Sequence, residues 1–144
     1  MKIFALVPLL LLSSALAGGA GPKRQPQFLE VWEGTYTCAQ GVTGARLNIQ
    51  EFSGDRFKLL GEMYPVASNP GVPRGRAELW GTMQGDLSNG TLNLTGGRWL
   101  VQPQDYVLPK LSARYELSEG YRRIKLTIDP PMQGCTGGEF RRVK

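Results

Sequence analysis

The run Leu111-Ser112-Ala113-Arg114-Tyr115-Glu116-Leu117-Ser118 alternates apolar and polar side chains without a break. A period of two puts Leu111, Ala113, Tyr115 and Leu117 on one face and the polar residues on the other. That is the pattern of an antiparallel strand with one face in a core and one in water. The same pattern recurs outward along the chain. Ala45, Leu47 and Ile49 oppose Arg46, Asn48 and Gln50; Ala77, Leu79, Gly81 and Met83 oppose Arg76, Glu78, Thr82 and Gln84. Ile124, Leu126 and Ile128 oppose Arg123, Lys125 and Thr127. Turn-forming groups separate these runs: Gln40-Gly41, Ser53-Gly54-Asp55, Ser88-Asn89-Gly90, Ser118-Glu119-Gly120 and Asp129-Pro130-Pro131. No twelve-residue window carries a 3.6-residue apolar period.

Strands are therefore expected at 31–39, 44–52, 56–63, 75–84, 90–96, 98–102, 110–117, 122–129 and 136–143. The fifth and sixth join if the chain bends at Gly96-Gly97, which gives about eight strands. The fold class is all-β: a single antiparallel up-and-down barrel of lipocalin or avidin type, with a β-sandwich as the alternative. Small inward residues at Gly34, Ala45, Gly81 and Ala113 either leave a lumen or let large neighbours interdigitate. The longest irregular segment, Pro65 to Gly75, is rich in proline and glycine and excludes a central strand. Pro103-Gln104-Asp105-Tyr106 forms a second loop of the same character.

Residues 1–17 read as a signal peptide: Lys2, an apolar stretch from Ile3 to Leu12, and the small-x-small site Ala15-Leu16-Ala17. The apolar stretch is too short to span a bilayer, so no integral membrane segment is expected after cleavage. Residues 18–27 read as a disordered lead-in, and residues 28–144 as one barrel domain. The expected location is periplasmic or secreted. In such a compartment Cys38 and Cys135, the only two cysteines, are expected to form a disulfide between the first and last strands. Cys135 has the opposite parity to Phe140; either a bulge at Gly137-Gly138 brings the two back into phase, or Cys135 precedes the strand proper.

The chain contains 17 basic and 12 acidic residues, a net charge of +5, one unit of it from Lys2. This moderate excess favours an anionic partner or envelope surface and forms no nucleic-acid stripe. There is no histidine, which removes Ser-His-Asp and Cys-His catalysis and the commonest zinc sites. No phosphate loop, dinucleotide fingerprint or calcium loop occurs. The carboxylates Glu62, Glu78, Asp86, Asp105 and Glu116 fall on strand faces and turns, not in an evident pair. The expectation is no enzyme, no metal and no cofactor. Asn89-Gly90-Thr91 and Asn93-Leu94-Thr95 match the glycosylation sequon, which matters only in a eukaryotic secretory pathway.

Surface aromatics and cations are the candidate binding tools. Trp80 alternates out of the apolar face and should meet solvent. Trp99 and Tyr106 flank the second loop. Arg123 and Lys125 share an outer strand face, with Arg141 nearby. Trp32 reads as a core plug, the usual use of such a residue, and Trp99 has the same alternative.

The segment Trp32-Glu33-Gly34-Thr35-Tyr36-Thr37-Cys38-Ala39-Gln40-Gly41-Val42-Thr43, with Trp99 to Tyr106 and Cys135-Thr136, resembles a group of uncharacterised exported bacterial β-domains. Those begin W-x-G-x-Y-x-C-x-Q-G-x-T and end in Cys-Thr; the likeness spans residues 31–142 and implies a fold unit and an exported location. Tyr36-Thr37-Cys38-Ala39-Gln40-Gly41 is also similar to the opening of the periplasmic inhibitors of C-type lysozyme. The Ser-Gly-x-x-Tyr loop and Trp-x-Lys-Gly segment of those inhibitors are missing here, so no inhibitory residue carries over.

These readings lead to a non-catalytic exported binding module acting through loops and surface aromatic and basic residues on a protein or anionic envelope partner. The alternatives are an enzyme-inhibitor or immunity-type protein, and a lipocalin-like carrier of a small ligand in the lumen.

Overall fold

A computed structural model describes residues 30–143, apart from 87 and 133. The expected signal peptide and lead-in lie outside the described residues. Eight strands follow in order: β1 (Val31–Cys38), β2 (Gly41–Ser53), β3 (Arg56–Tyr64), β4 (Gly75–Gly85), β5 (Asn89–Val101), β6 (Leu111–Ser118), β7 (Arg123–Met132) and β8 (Cys135–Arg142). Each pairs antiparallel with its neighbour in sequence, and β8 pairs with β1, so the sheet closes into an up-and-down barrel. Among the described residues there is no helix. Closure removes both sheet edges and rules out the sandwich.

Two departures from the sequence pattern have local causes. The expected fifth and sixth strands are one, β5, and its irregularities lie opposite Trp80/Gly81 and Arg76/Ala77, where Thr95 and Leu100 drop out of register. The phase of Cys135 is restored mainly on the partner strand. Thr127 pairs with Gly137 and Met132 with Cys135, so four residues of β7 face Thr136 alone. Pro130 and Pro131 lie in that stretch and have no N–H to offer the ladder, which lets the strand bulge there. Gly137 does contribute, with φ +151°.

The two ends of the barrel differ. Trp32, Phe52, Phe57, Met83, Tyr115, Leu117, Ile124 and Phe140 are buried together at the end that carries the β2–β3, β4–β5 and β6–β7 turns. This plug is the floor. Trp32 is 2 % exposed, as a core residue should be, although its indole Nε1 has no hydrogen-bond partner. The other end carries the β1–β2 turn, the connections 65–74 and 102–110 and the passage from β7 to β8, together with the disulfide Cys38–Cys135.

Gly34 and Gly81 do not open the lumen. A Cβ on Gly34 would come 1.9 Å from the carbonyl oxygen of Glu139, and one on Gly81 would come 1.9 Å from that of Asn93. These glycines let coiled neighbouring strands approach closely, as closing a small barrel requires. Ala45 and Ala113 do face the lumen.

Candidate functional site

Above the floor the inward residues become small or stop short of one another. Ala45, Ala77 and Ala113 occupy lumen positions on β2, β4 and β6, and Gly61, Gly75 and Gly138 line it elsewhere. The inward aliphatics Leu47, Leu79, Leu92, Leu94 and Leu126 are only partly buried, because their tips face open space rather than one another. The result is a cavity of about 600 Å³, open at the mouth end and lined mainly by apolar side chains, with Glu62 and Asp105 among the polar exceptions. This volume falls within the roughly 300–1,000 Å³ of small-ligand sites, and an eight-stranded barrel has room for one such ligand.

The mouth has a polar lip. Tyr36, inward-facing at the end of β1, receives a hydrogen bond at its phenol oxygen from Gln40 Nε2 (3.3 Å). The same amide donates to Thr43 Oγ1 (3.1 Å), and that fully buried hydroxyl donates to the Gly41 carbonyl (3.2 Å). Burial raises the Tyr36 phenol above its ordinary pKa; the Thr43 hydrogen bond opposes this and Tyr106 adds to it. The phenol is therefore held neutral, tied into the Gln40–Thr43 network at the lip.

Both irregular loops build this end. Asn69, in the 65–74 connection, donates from Nδ2 to the carbonyls of Gln40 (2.7 Å) and Val42 (3.1 Å), and Val72 of the same loop is buried. The loop is thereby clamped onto the β1–β2 turn. In the 102–110 connection, buried Pro103 packs beside Gly75, and Gln102 Nε2 donates to the Tyr106 carbonyl (2.9 Å). Tyr106 and Leu108 then turn into the cavity. Between β5 and β6 the ladder runs only from Asn89↔Glu116 to Leu94↔Leu111. Above it, Leu108 and Pro109 fill the wall and border both the cavity and a shallow outer groove at Trp80 and Lys110.

The residues singled out from sequence fall into three places. Trp99, Tyr106, Cys38 and Cys135 come together on the cavity lining. Trp99 is partly buried there, neither a full core plug nor a surface platform. Trp80 faces outward and is 39 % exposed, and its indole lies over Gly96, where a Cβ would meet Nε1 at 2.5 Å. Tyr64 covers Gly44 in the same way, and an aromatic laid across a strand glycine is a known stabilising device. Arg123 and Lys125 lie on β7, on a different part of the wall from Trp80 on β4. Arg123 is bound by Glu139 and, at 3.5 Å, by Glu119, which also holds Arg141 at 3.0 Å. The Arg123 hydrogen bond holds the Glu139 carboxyl below its usual range. Likewise the Arg98 hydrogen bond (2.6 Å) lowers Glu78. Among the described residues no group of three or more His, Cys, Asp or Glu is placed to hold a metal.

Sequence reasoning passed over Tyr36, Gln40 and the half-buried leucines as parts of a site. Their signal was faint: a tyrosine in the inward phase of β1, and alanines in the inward phase of β2, β4 and β6.

No protein-family model and no curated protein matches the sequence. Among solved structures the chain is similar to a redesigned beta barrel, with a TM-score of 0.55 and 12 % identity over 85 % of this chain and 97 % of that one. It is also similar to EF1p2_mFAP2b, solved bound to DFHBI, with a TM-score of 0.51 and 11 % identity over 83 % of this chain and 96 % of that one. At such identities the likeness is one of fold.

Proposed function

We propose that this chain is an exported, non-catalytic binding protein that holds one small, largely apolar ligand in the barrel lumen. The observation that carries this reading is the open cavity of about 600 Å³ above a packed aromatic floor. A lumen needed only for stability would be filled, since inward leucines facing empty space forgo contacts worth about 0.8 kcal/mol per methylene. The Tyr36 phenol and Gln40 amide at the lip suit a ligand with one polar end turned towards the mouth. Tyr106 and Trp99 offer aromatic faces to its body. The barrel solved with DFHBI supports the reading to the extent that the same fold accommodates a small molecule.

The cystine supports an oxidising location, periplasmic or secreted. No helix among the described residues is long and apolar enough to cross a membrane. A site on the outer wall has less behind it, because Arg123 and Arg141 are already engaged by carboxylates and Trp80 covers a glycine.

Titration with an apolar, environment-sensitive dye tests the reading. Ala113→Leu places a larger side chain in the lumen and should weaken dye binding roughly tenfold or more, the effect of about 1.4 kcal/mol or more of steric cost. Circular dichroism should show the barrel retained. A folded variant that binds the dye as the parent does would refute a lumenal site.

A further inference from the structure

Large exposed apolar side chains are unevenly distributed over this molecule. Val42, Leu100, Val101, Val107 and Met132 all lie at the mouth end, on β2, β5, the 102–110 loop and β7. They encircle the cavity opening, and Val107 is 71 % exposed. The other two large exposed apolar side chains among the described residues lie elsewhere, Trp80 on the outer wall of β4 and Val143 just past β8 at the floor end, where the turns present Asp55, Asp86, Ser88, Glu119 and Arg122 to water. Apolar side chains scattered singly over a surface need no explanation, whereas a ring of them at one pole does.

The mouth end also carries unpaired charge. Arg74 and Lys110 are exposed at the mouth end with no ion-pair partner among the described residues, and Asp105 is the unpaired acid beside them. The other charges near this rim neutralise one another: Arg76 with Glu62 at 3.4 Å, and Arg114 with Asp129 at 3.5 Å. The ring therefore carries two free cations against one free anion, on a chain of net charge +5.

We infer that the mouth end docks on the surface of an anionic phospholipid bilayer. The apolar ring enters the boundary between headgroups and acyl chains, and Arg74 and Lys110 meet lipid phosphates. A protein partner fits less well, because protein interfaces concentrate their anchors at a desolvated centre, and the centre here is an opening. The 102–110 loop joins the two regions, with Tyr106 and Leu108 on the lining and Val107 on the lip between them. The inference rests on the lumen taking an apolar ligand and adds how that ligand enters and leaves: along apolar surface, without crossing water.

Flotation of the oxidised protein with vesicles tests it, comparing phosphatidylcholine alone with phosphatidylcholine containing about 30 % phosphatidylglycerol. The parent should float with the anionic vesicles and lose binding as salt rises. The double variant Val101→Glu/Met132→Glu should partition roughly tenfold less, and Arg74→Glu/Lys110→Glu should lose the preference for anionic lipid. Neither pair lines the cavity, so dye affinity in vesicle-free buffer should stay at the parental value in both. Every variant keeps the same N-terminal segment, so binding through that segment would survive the substitutions. Equal flotation of parent and variants, or a parent that stays in the aqueous fraction, overturns the inference. Loss of dye binding by the parent, with flotation still sensitive to the substitutions, would instead remove the ligand reading and leave the docking surface in place.

Discussion

The bond between Cys38 and Cys135 closes a loop with a sequence separation of 97 residues. Replacing both cysteines by alanine releases that constraint from the unfolded chain. The chain-entropy relation gives about 4.7 kcal/mol for a loop of this length at 25 °C. Cys135 is 4 % exposed, so its truncation also leaves a small void, worth about 1 kcal/mol more. The folded state keeps the seam that the bond spans, since β1 and β8 still pair from Trp32↔Arg142 to Thr37↔Gly137. The loss should therefore fall between about 4 and 6 kcal/mol, against a total stability of about 5–15 kcal/mol for a domain of this size. Thermal unfolding should shift down by about 15–20 °C. In guanidinium the midpoint should fall while the m-value rises, because the uncrosslinked chain exposes more surface when unfolded. Equilibrium denaturation of the oxidised parent and the Cys38→Ala/Cys135→Ala variant, followed by circular dichroism, measures all three quantities. A loss below about 1.5 kcal/mol with an unchanged m-value would show that the unfolded chain gains little freedom, and the entropic account of the bond would be wrong.

Gly34→Ala should destabilise the barrel by about 2 kcal/mol or more, because the new methyl meets a backbone carbonyl at 1.9 Å that cannot move without opening the β1–β8 seam; a melting temperature within a degree or two of the parent would contradict this. Trp32→Phe should cost less than about 1.5 kcal/mol, since the lost packing is offset by removal of the buried, unpartnered indole N–H. Chemical denaturation decides it, and a loss above about 3 kcal/mol would mean the indole is better satisfied than its surroundings indicate. Burial raises the Tyr36 pKa in the folded state, so its contribution to stability is complete below about pH 10, the ordinary tyrosine value, and is lost as pH rises through the folded value. Tyr36→Phe should flatten the alkaline limb of the stability–pH curve, and an identical limb in parent and variant would count against this assignment.

The barrel itself was legible because its signal is local. Alternation in Leu111 to Ser118 and its counterparts assigns each residue a face with no knowledge of its partners, and the glycine and proline clusters mark where each strand ends. The inward face, the antiparallel order and the pairing of two cysteines at opposite ends of the domain all follow from that reading. The bulge at Pro130-Pro131 was half visible: the conflicting parity of Cys135 announced a break in register, but not the strand that would absorb it.

Whether the lumen is full or empty depends on quantities that no single segment contains. Gly34 and Ala45 look alike in sequence, as small residues on an inward face. Closure presses the first against the Glu139 backbone and leaves the second facing open space. The height at which each side chain enters the barrel depends on the stagger of all eight strands, so Ala45, Ala77 and Ala113 form one cavity only after the sheet has closed on itself. The same closure gathers Val42, Val101 and Met132 into a ring and separates Trp80 from Arg123. Alternation and turn chemistry are properties of neighbours along the chain and determined the strands. The cup, its polar lip and its apolar rim are sums over residues far apart in sequence, and only the tertiary structure decided them.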